Sequence, residues 1–135
     1  MADVDRQREY SPSSCLPNGD YQTYILEYRR ASEAAWARAG DHPTASTTTV
    51  RYGDDEAHVI DVMALGGDRP APLLAFIHGG YWQELSKKES LFAAKDILSE
   101  GMAFAAIDYT LCPEVTIGEI VNECIGLNAL PFGAT

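Results

Sequence analysis

Leu73-Leu74-Ala75-Phe76-Ile77-His78-Gly79-Gly80-Tyr81-Trp82 is the stretch whose reading decides the fold. No polar residue interrupts Leu73 to Ile77 before His78, so the run reads as a strand covered on both faces, as in a parallel sheet with helices on each side. Gly79 and Gly80 end it. Two glycines tolerate positive φ and let a ligand approach the backbone closely, so their N–H groups can point at a developing negative charge. A strand that delivers free amides to a cleft is a candidate oxyanion hole.

Downstream, Ser86-Lys87-Lys88-Glu89 has the spacing of a capping box and predicts a helix to about Glu100, with Leu91, Phe92, Ile97 and Leu98 on an apolar stripe and Gly101 as its stop. Met102 to Ile107 is a second buried strand ending in Asp108. Strand, helix, strand is a right-handed crossover between parallel strands, so the fold class is α/β. Tyr109 to Val115 reads as a loop held by Pro113. Thr116-Ile117-Gly118-Glu119 is a second capping box, opening a helix through Ile120, Val121 and Ile125. From Gly126 to Thr135 the chain is uncharged and carries Pro131.

Upstream, Gly66 to Pro70 is a turn-rich link. Thr47–Tyr52 and Ala57–Leu65, separated by Gly53-Asp54-Asp55-Glu56, form a β-hairpin whose second strand is apolar enough to pair with the buried sheet. Tyr21 to Ala39 shows helical spacing through Tyr24, Ile25, Tyr28, Ala31, Ala35 and Trp36, with Asp20 as cap and Gly40 as stop. An aromatic stripe of this kind can be a ligand box but is usually core. It leaves Arg29, Arg30 and Arg38 to solvent. Residues 1–19 are a polar leader with Pro12, Pro17 and Gly19, and residues 20–135 form the domain.

With 135 residues and 46% hydrophobic residues the chain is one domain or a piece of one. Ten Lys and Arg against 20 Asp and Glu give a net charge of −10 without a basic cluster, which disfavours nucleic acid and anionic lipid as partners. Cys15, Cys112 and Cys124 are odd in number and lack CxxC spacing. They read as reduced thiols of a cytoplasmic protein, neither a disulfide framework nor a zinc site. His42, His58 and His78 show no ligand spacing, so neither metal nor cofactor is expected. No stretch reaches the ~20 apolar residues that cross a bilayer.

His78-Gly79-Gly80-Tyr81-Trp82, Asp108-Tyr109-Thr110-Leu111-Cys112-Pro113-Glu114 and the Glu9-Tyr10-Ser11-Pro12-Ser13 segment together resemble the α/β-hydrolase esterases and lipases. Within these, the chain is most similar to the kynurenine formamidase (arylformamidase) group and its bacterial esterase-like relatives. The likeness runs to about Cys124 and covers the N-terminal half of such a domain. It implies a mostly parallel sheet with an antiparallel hairpin at one edge and flanking helices, cut before the nucleophile elbow. It also implies a leader that approaches the active-site mouth, although composition alone leaves a frayed terminus open.

By this resemblance the activity is hydrolysis of carboxylic esters or aryl formamides through a Ser-His-Asp mechanism. His78, Gly79, Gly80 and Tyr81 would form the oxyanion turn. Tyr81 and Trp82 would line an aryl or acyl pocket, packing under a cap being the alternative. Asp108 and Glu114 would tie down the adjoining loop. No G-x-S-x-G pentapeptide occurs in the chain, and the acid and histidine come later still in superfamily order, so His78 is expected to fix the turn by hydrogen bonding. Cys112 has no glycine elbow and no histidine partner and reads as buried and inert. Two readings therefore stand: a hydrolase represented by its N-terminal half, and a non-catalytic fragment or pseudoenzyme that only binds. In the hydrolase sheet order the outer edge of strand 73–78 faces the missing nucleophile strand. Self-association through that edge is expected, with Phe76→Lys improving solubility.

Overall fold

The computed structural model describes residues 6, 8–67 and 70–127. Its centre is one four-stranded sheet: β1 (Ala45–Arg51), β2 (Val59–Leu65), β3 (Leu73–Ile77) and β4 (Ala103–Ile107), in the order β1-β2-β4-β3. The hairpin forms as the sequence predicts, Arg51 opposite Val59 through Ala45 opposite Leu65. β2 joins β4 antiparallel, Ile60 against Ile107, and β3 lies parallel to β4, Ile77 against Ile107. β4 is thus the central strand, and all five of its residues are buried.

Alternation along the strands divides the core. One face carries Met63, Phe104 and Ala106, with Leu74 and Phe76 packed on them, beneath α1 (Gln22–Asp41) and α2 (Ala94–Ser99). The other carries Ile60, Ala105 and Ile107 against Tyr52, Leu73 and Leu127, the last just past α3 (Ile117–Gly126).

Asp20 caps α1: Thr23 donates its N–H to Oδ1 at 3.3 Å and its hydroxyl to Oδ2 at 2.8 Å. These bonds hold the Asp20 carboxyl below its ordinary range. The Thr116–Glu119 capping box at α3 is complete in both directions.

Several expectations need correction. β3 is not covered on both faces: Ala75 is exposed and Ile77 is 52% exposed, because β3 is the sheet edge and none of the described residues covers that side fully. Phe76 is the wrong residue to replace by lysine, since its ring packs on Phe104 and Phe92 at centroid separations of 6.2 and 6.4 Å. The segment after Ser86 is not one helix. It makes 3₁₀ turns at Lys87–Glu89 and Leu91–Ala93 before α2 begins. There Ser90 gives its hydroxyl to Ser86 O at 2.8 Å and its N–H to Lys87 O, so the carbonyl that an α-turn would use is taken by a side chain.

Gly40 does not stop α1, which continues to Asp41. His42 precedes Pro43, and that disfavours further α-conformation. The aromatic stripe is only partly core: Tyr24 and Tyr28 are each 45% exposed, while Ser32 and Ala39 are the buried residues of α1 and Ala35 and Trp36 pack on the core. Arg29 does not simply face solvent but pairs with Glu89, which is 4% exposed; Nε reaches Oε1 at 2.7 Å. Burial raises the Glu89 carboxyl pKa, yet hydrogen bonds from Arg29 and Ser86 outweigh it and hold the group below its ordinary value. Cys112 is partly buried and Cys15 exposed. Of the uncharged stretch 126–135, residues 128–135 lie outside the described residues.

Candidate active site

The end of β3 opens into a turn of unusual backbone geometry. Gly80 has φ +108°, followed by Tyr81 at 52° and Trp82 at 60°, with Leu85 at 72°. Three consecutive positive values are costly for side-chain-bearing residues and persist only where surroundings impose them. The imposing contact is at Gly80, whose carbonyl accepts N–H groups from Gln83 at 3.0 Å and Glu84 at 3.1 Å. A Cβ on Gly80 would lie 2.1 Å from Glu84 O, so only glycine fits. Gly79 differs: nothing stands within 4 Å of where its Cβ would be. Among the described residues, the N–H groups of Gly79, Gly80 and Tyr81 have no acceptor. Open space beside unpaired amides is what an incoming oxygen atom requires.

His78 is buried behind the turn. Its Nδ1 lies 2.8 Å from Gly79 O and so carries the proton, because a carbonyl only accepts. Its ring stacks on Tyr109 at 4.2 Å and 9°, and the Tyr109 hydroxyl donates to His78 O at 2.9 Å. Nε2 has no hydrogen-bond partner and stands 3.6 Å from Asp108 Oδ1. The turn is therefore braced from beneath by the loop that follows β4. Cys112 adds to this by donating its N–H to Trp82 O at 2.7 Å.

Asp108 is the hinge of that brace. Its Oδ1 accepts the Lys87 N–H at 2.6 Å, its carbonyl accepts the Tyr52 hydroxyl at 2.6 Å, and its N–H goes to Val59 O. Burial is the largest influence on its carboxyl and raises the pKa above the ordinary value; the Lys87 N–H and the neighbouring charges of His78 and Lys87 oppose it. Behind it, Lys87 Nζ meets Asp61 Oδ2 at 2.6 Å, and Asp61 Oδ1 accepts the Thr49 hydroxyl at 2.6 Å. A chain of polar contacts thus runs from the hairpin through the 3₁₀ turn to the imidazole.

The sequence-predicted residues fall into three groups. His78, Gly79, Gly80, Tyr81 and Asp108 are brought together. Tyr81 is 60% and Trp82 45% exposed, flanking the turn without packing under a cap of described residues. Glu114 is exposed, and among the described residues it joins the loop through its backbone, donating to Leu111 O at 3.1 Å. The leader reaches the site: Tyr81 Oη lies 3.4 Å from Tyr10 O, and Tyr10, Ser11, Gly80 and Tyr81 line a depression of about 450 Å³.

Lys87, Asp61 and Tyr109 were missed as structural partners. Asp61, an acid within the apolar run Val59–Met63, was the one detectable signal; Lys87 sits in a cap like any surface lysine. His58 was also missed. It stacks on Tyr52 and approaches Glu123 Oε1 at 3.2 Å, binding α3 to the hairpin turn.

By comparison with known proteins, no family model matches the chain. Among solved structures, a protein described as a thioesterase from Silicibacter sp. TM1040 superposes with a TM-score of 0.64 at 32% identity, over 82% of this chain and 42% of that one. A bacterial heroin esterase shares the fold at a TM-score of 0.54 and 23% identity, over 84% of this chain and 36% of that one. Sheet order and these likenesses give the chain the α/β-hydrolase fold, of which it spans a part.

Its homologues by sequence include kynurenine formamidases. The Danio rerio enzyme is 31% identical over 124 residues, 91% of this chain and 42% of that protein, and the Salmo salar enzyme 30% identical over 119 residues, 87% and 40%. The chain spans about two fifths of the length of these relatives. Among the described residues, no helix is long and apolar enough to cross a membrane, and no group of three His, Cys, Asp or Glu side chains is placed to hold a metal ion.

Proposed function

We propose that the His78–Tyr81 turn is the oxyanion-binding corner of a serine hydrolase acting on aryl formamides or carboxylic esters, as the kynurenine formamidase relatives imply. In such a reaction a serine attacks the carbonyl carbon, the carbonyl oxygen becomes an oxyanion, and N–H donors stabilise it. The observation that carries the reading is the pair of glycines at the end of β3, with open space at Gly79 and amides without acceptors among the described residues. His78 and Asp108 serve as positioning residues, holding the turn from below. Tyr81 and Trp82 offer aromatic surface to an aryl group.

The 135 residues contain no G-x-S-x-G elbow, so the chain by itself is proposed to be inactive in hydrolysis, the triad residing in further sequence of the complete protein. A serine-directed fluorophosphonate should leave no adduct on this chain; labelling at a single serine would refute that. In the complete protein Gly80→Val should lower kcat/KM for an aryl formamide or p-nitrophenyl ester by about 10²–10³-fold, and an unchanged rate would remove the oxyanion assignment. The same missing elbow favours a second reading, a non-catalytic binding module. Absence of hydrolysis by the complete protein would select it.

A further inference from the structure

A second depression among the described residues is remote from the turn and shares no lining residue with the cavities beside that turn. It is a groove of about 500 Å³ between α1, α2 and the hairpin, a size within the range of small-molecule sites. Small side chains shape it: Ala35 and Ala39 of α1 pack on the core cluster that includes Met63 and Leu98, and their short side chains leave a shallow apolar floor beside Leu65 and Leu98. Phe92 forms one wall, fixed by stacking on Tyr28 at 5.0 Å and by an edge contact with Phe76 at 6.4 Å.

The ionisable residues lining this groove are Arg38, Lys95 and His42, all of them basic. That is notable in a chain with 20 carboxylates and a net charge of −10. Arg29 and Lys87 each engage a carboxylate, whereas among the described residues Arg38 and Lys95 take part in no ion pair. His42 accepts the Thr44 N–H on Nδ1 at 3.3 Å, which leaves its proton on Nε2 as a further donor. A cationic rim over an apolar floor is complementary to an anionic head on an apolar tail.

We propose that this groove binds an alkyl carboxylate, its tail on the partly exposed Ala35, Leu65 and Leu98 and its carboxylate between Arg38 and Lys95. The inference goes beyond the hydrolase reading and stands whether or not that reading holds. The test is calorimetric titration of the chain with sodium dodecanoate, below its micellar concentration, beside dodecyltrimethylammonium chloride. Dodecanoate should bind saturably at one site and at least tenfold more tightly than the cationic amphiphile. The double variant Arg38→Glu, Lys95→Glu should lose at least tenfold in dodecanoate affinity. Ala31→Trp, which fills the groove without changing charge, should abolish binding. All three positions are exposed, and circular dichroism checks that the fold survives. Equal binding of the two amphiphiles, or an affinity unmoved by charge reversal, would overturn the proposal. So would a dimer seen by light scattering that Ala31→Trp splits while dodecanoate fails to bind, since a second copy would then be the occupant.

Discussion

Gly79 and Gly80 are adjacent and chemically identical, yet alanine should have opposite consequences at the two. At Gly80 the new Cβ would meet Glu84 O at 2.1 Å, and φ is +108°. The backbone must relax by opening the 80–84 turn, which endangers the two N–H bonds to Gly80 O. Strain of ~1–3 kcal/mol and one or two bonds at ~0.5–1.5 kcal/mol each predict a loss of roughly 1.5–6 kcal/mol. At Gly79 the methyl meets nothing within 4 Å, and φ lies outside the left-handed region. Stability should change by about 0.5 kcal/mol or less, with a small gain from reduced unfolded-state freedom. Urea titration followed by near-ultraviolet circular dichroism gives both values from midpoints at constant m. In the complete protein Gly79→Ala should still depress hydrolysis, because the methyl occupies the space offered to the substrate oxygen. Equal destabilisation by the two alanines would refute this account of the turn.

Three further outcomes are expected. Tyr109→Phe, which removes the buried hydroxyl bond to His78 O, should cost about 1–3 kcal/mol in denaturant unfolding. Ile77→Lys should raise solubility and reduce self-association in light scattering, whereas Phe76→Lys should unfold the chain by about 3–5 kcal/mol, and the reverse ranking would contradict the edge assignment. Asp108 has a folded-state pKa raised above its unfolded value, so the native state holds the extra proton and stability falls as pH rises from about 4 through the raised value. Asp108→Asn keeps an acceptor for the Lys87 N–H and should gain on the parent over that window; parallel stability–pH curves would exclude the effect.

The two apolar runs 73–77 and 103–107, the hairpin and both residues of the Thr116 box were legible because each is a local pattern that tertiary contacts reinforce. The His-Gly-Gly turn was legible because glycine there answers a backbone demand. Misreadings arose where a long-range partner overrode a local rule. Ser90 capturing Ser86 O breaks the expected helix, and Glu89, read as one half of a capping box, bonds Ser86 but also engages Arg29 sixty residues away in sequence. The continuous hydrophobicity of Leu73 to Ile77 was read as two-sided burial, but it records only what the residues tolerate, not what covers them. Within the site, the support given by Lys87 through both its backbone and its ammonium depends on a register that no single segment encodes.

β4 pairs with two strands that lie far from it in sequence, Ile60 opposite Ile107 on one side and Leu73 opposite Ala103 on the other. This imposes an order of assembly. The β1–β2 hairpin closes over a short turn and can form within microseconds, while β4 must close much longer loops before any contact rewards it. The glycine turn and its brace hang on the ends of β3 and β4, so they take shape only after β4 has docked. Substitutions there are expected to accelerate unfolding while leaving the refolding rate nearly untouched, and a chevron plot of Tyr109→Phe would show it as a displaced unfolding arm alone. The corner that we assign to chemistry would thus be the last part of the described chain to become native and the first to be lost.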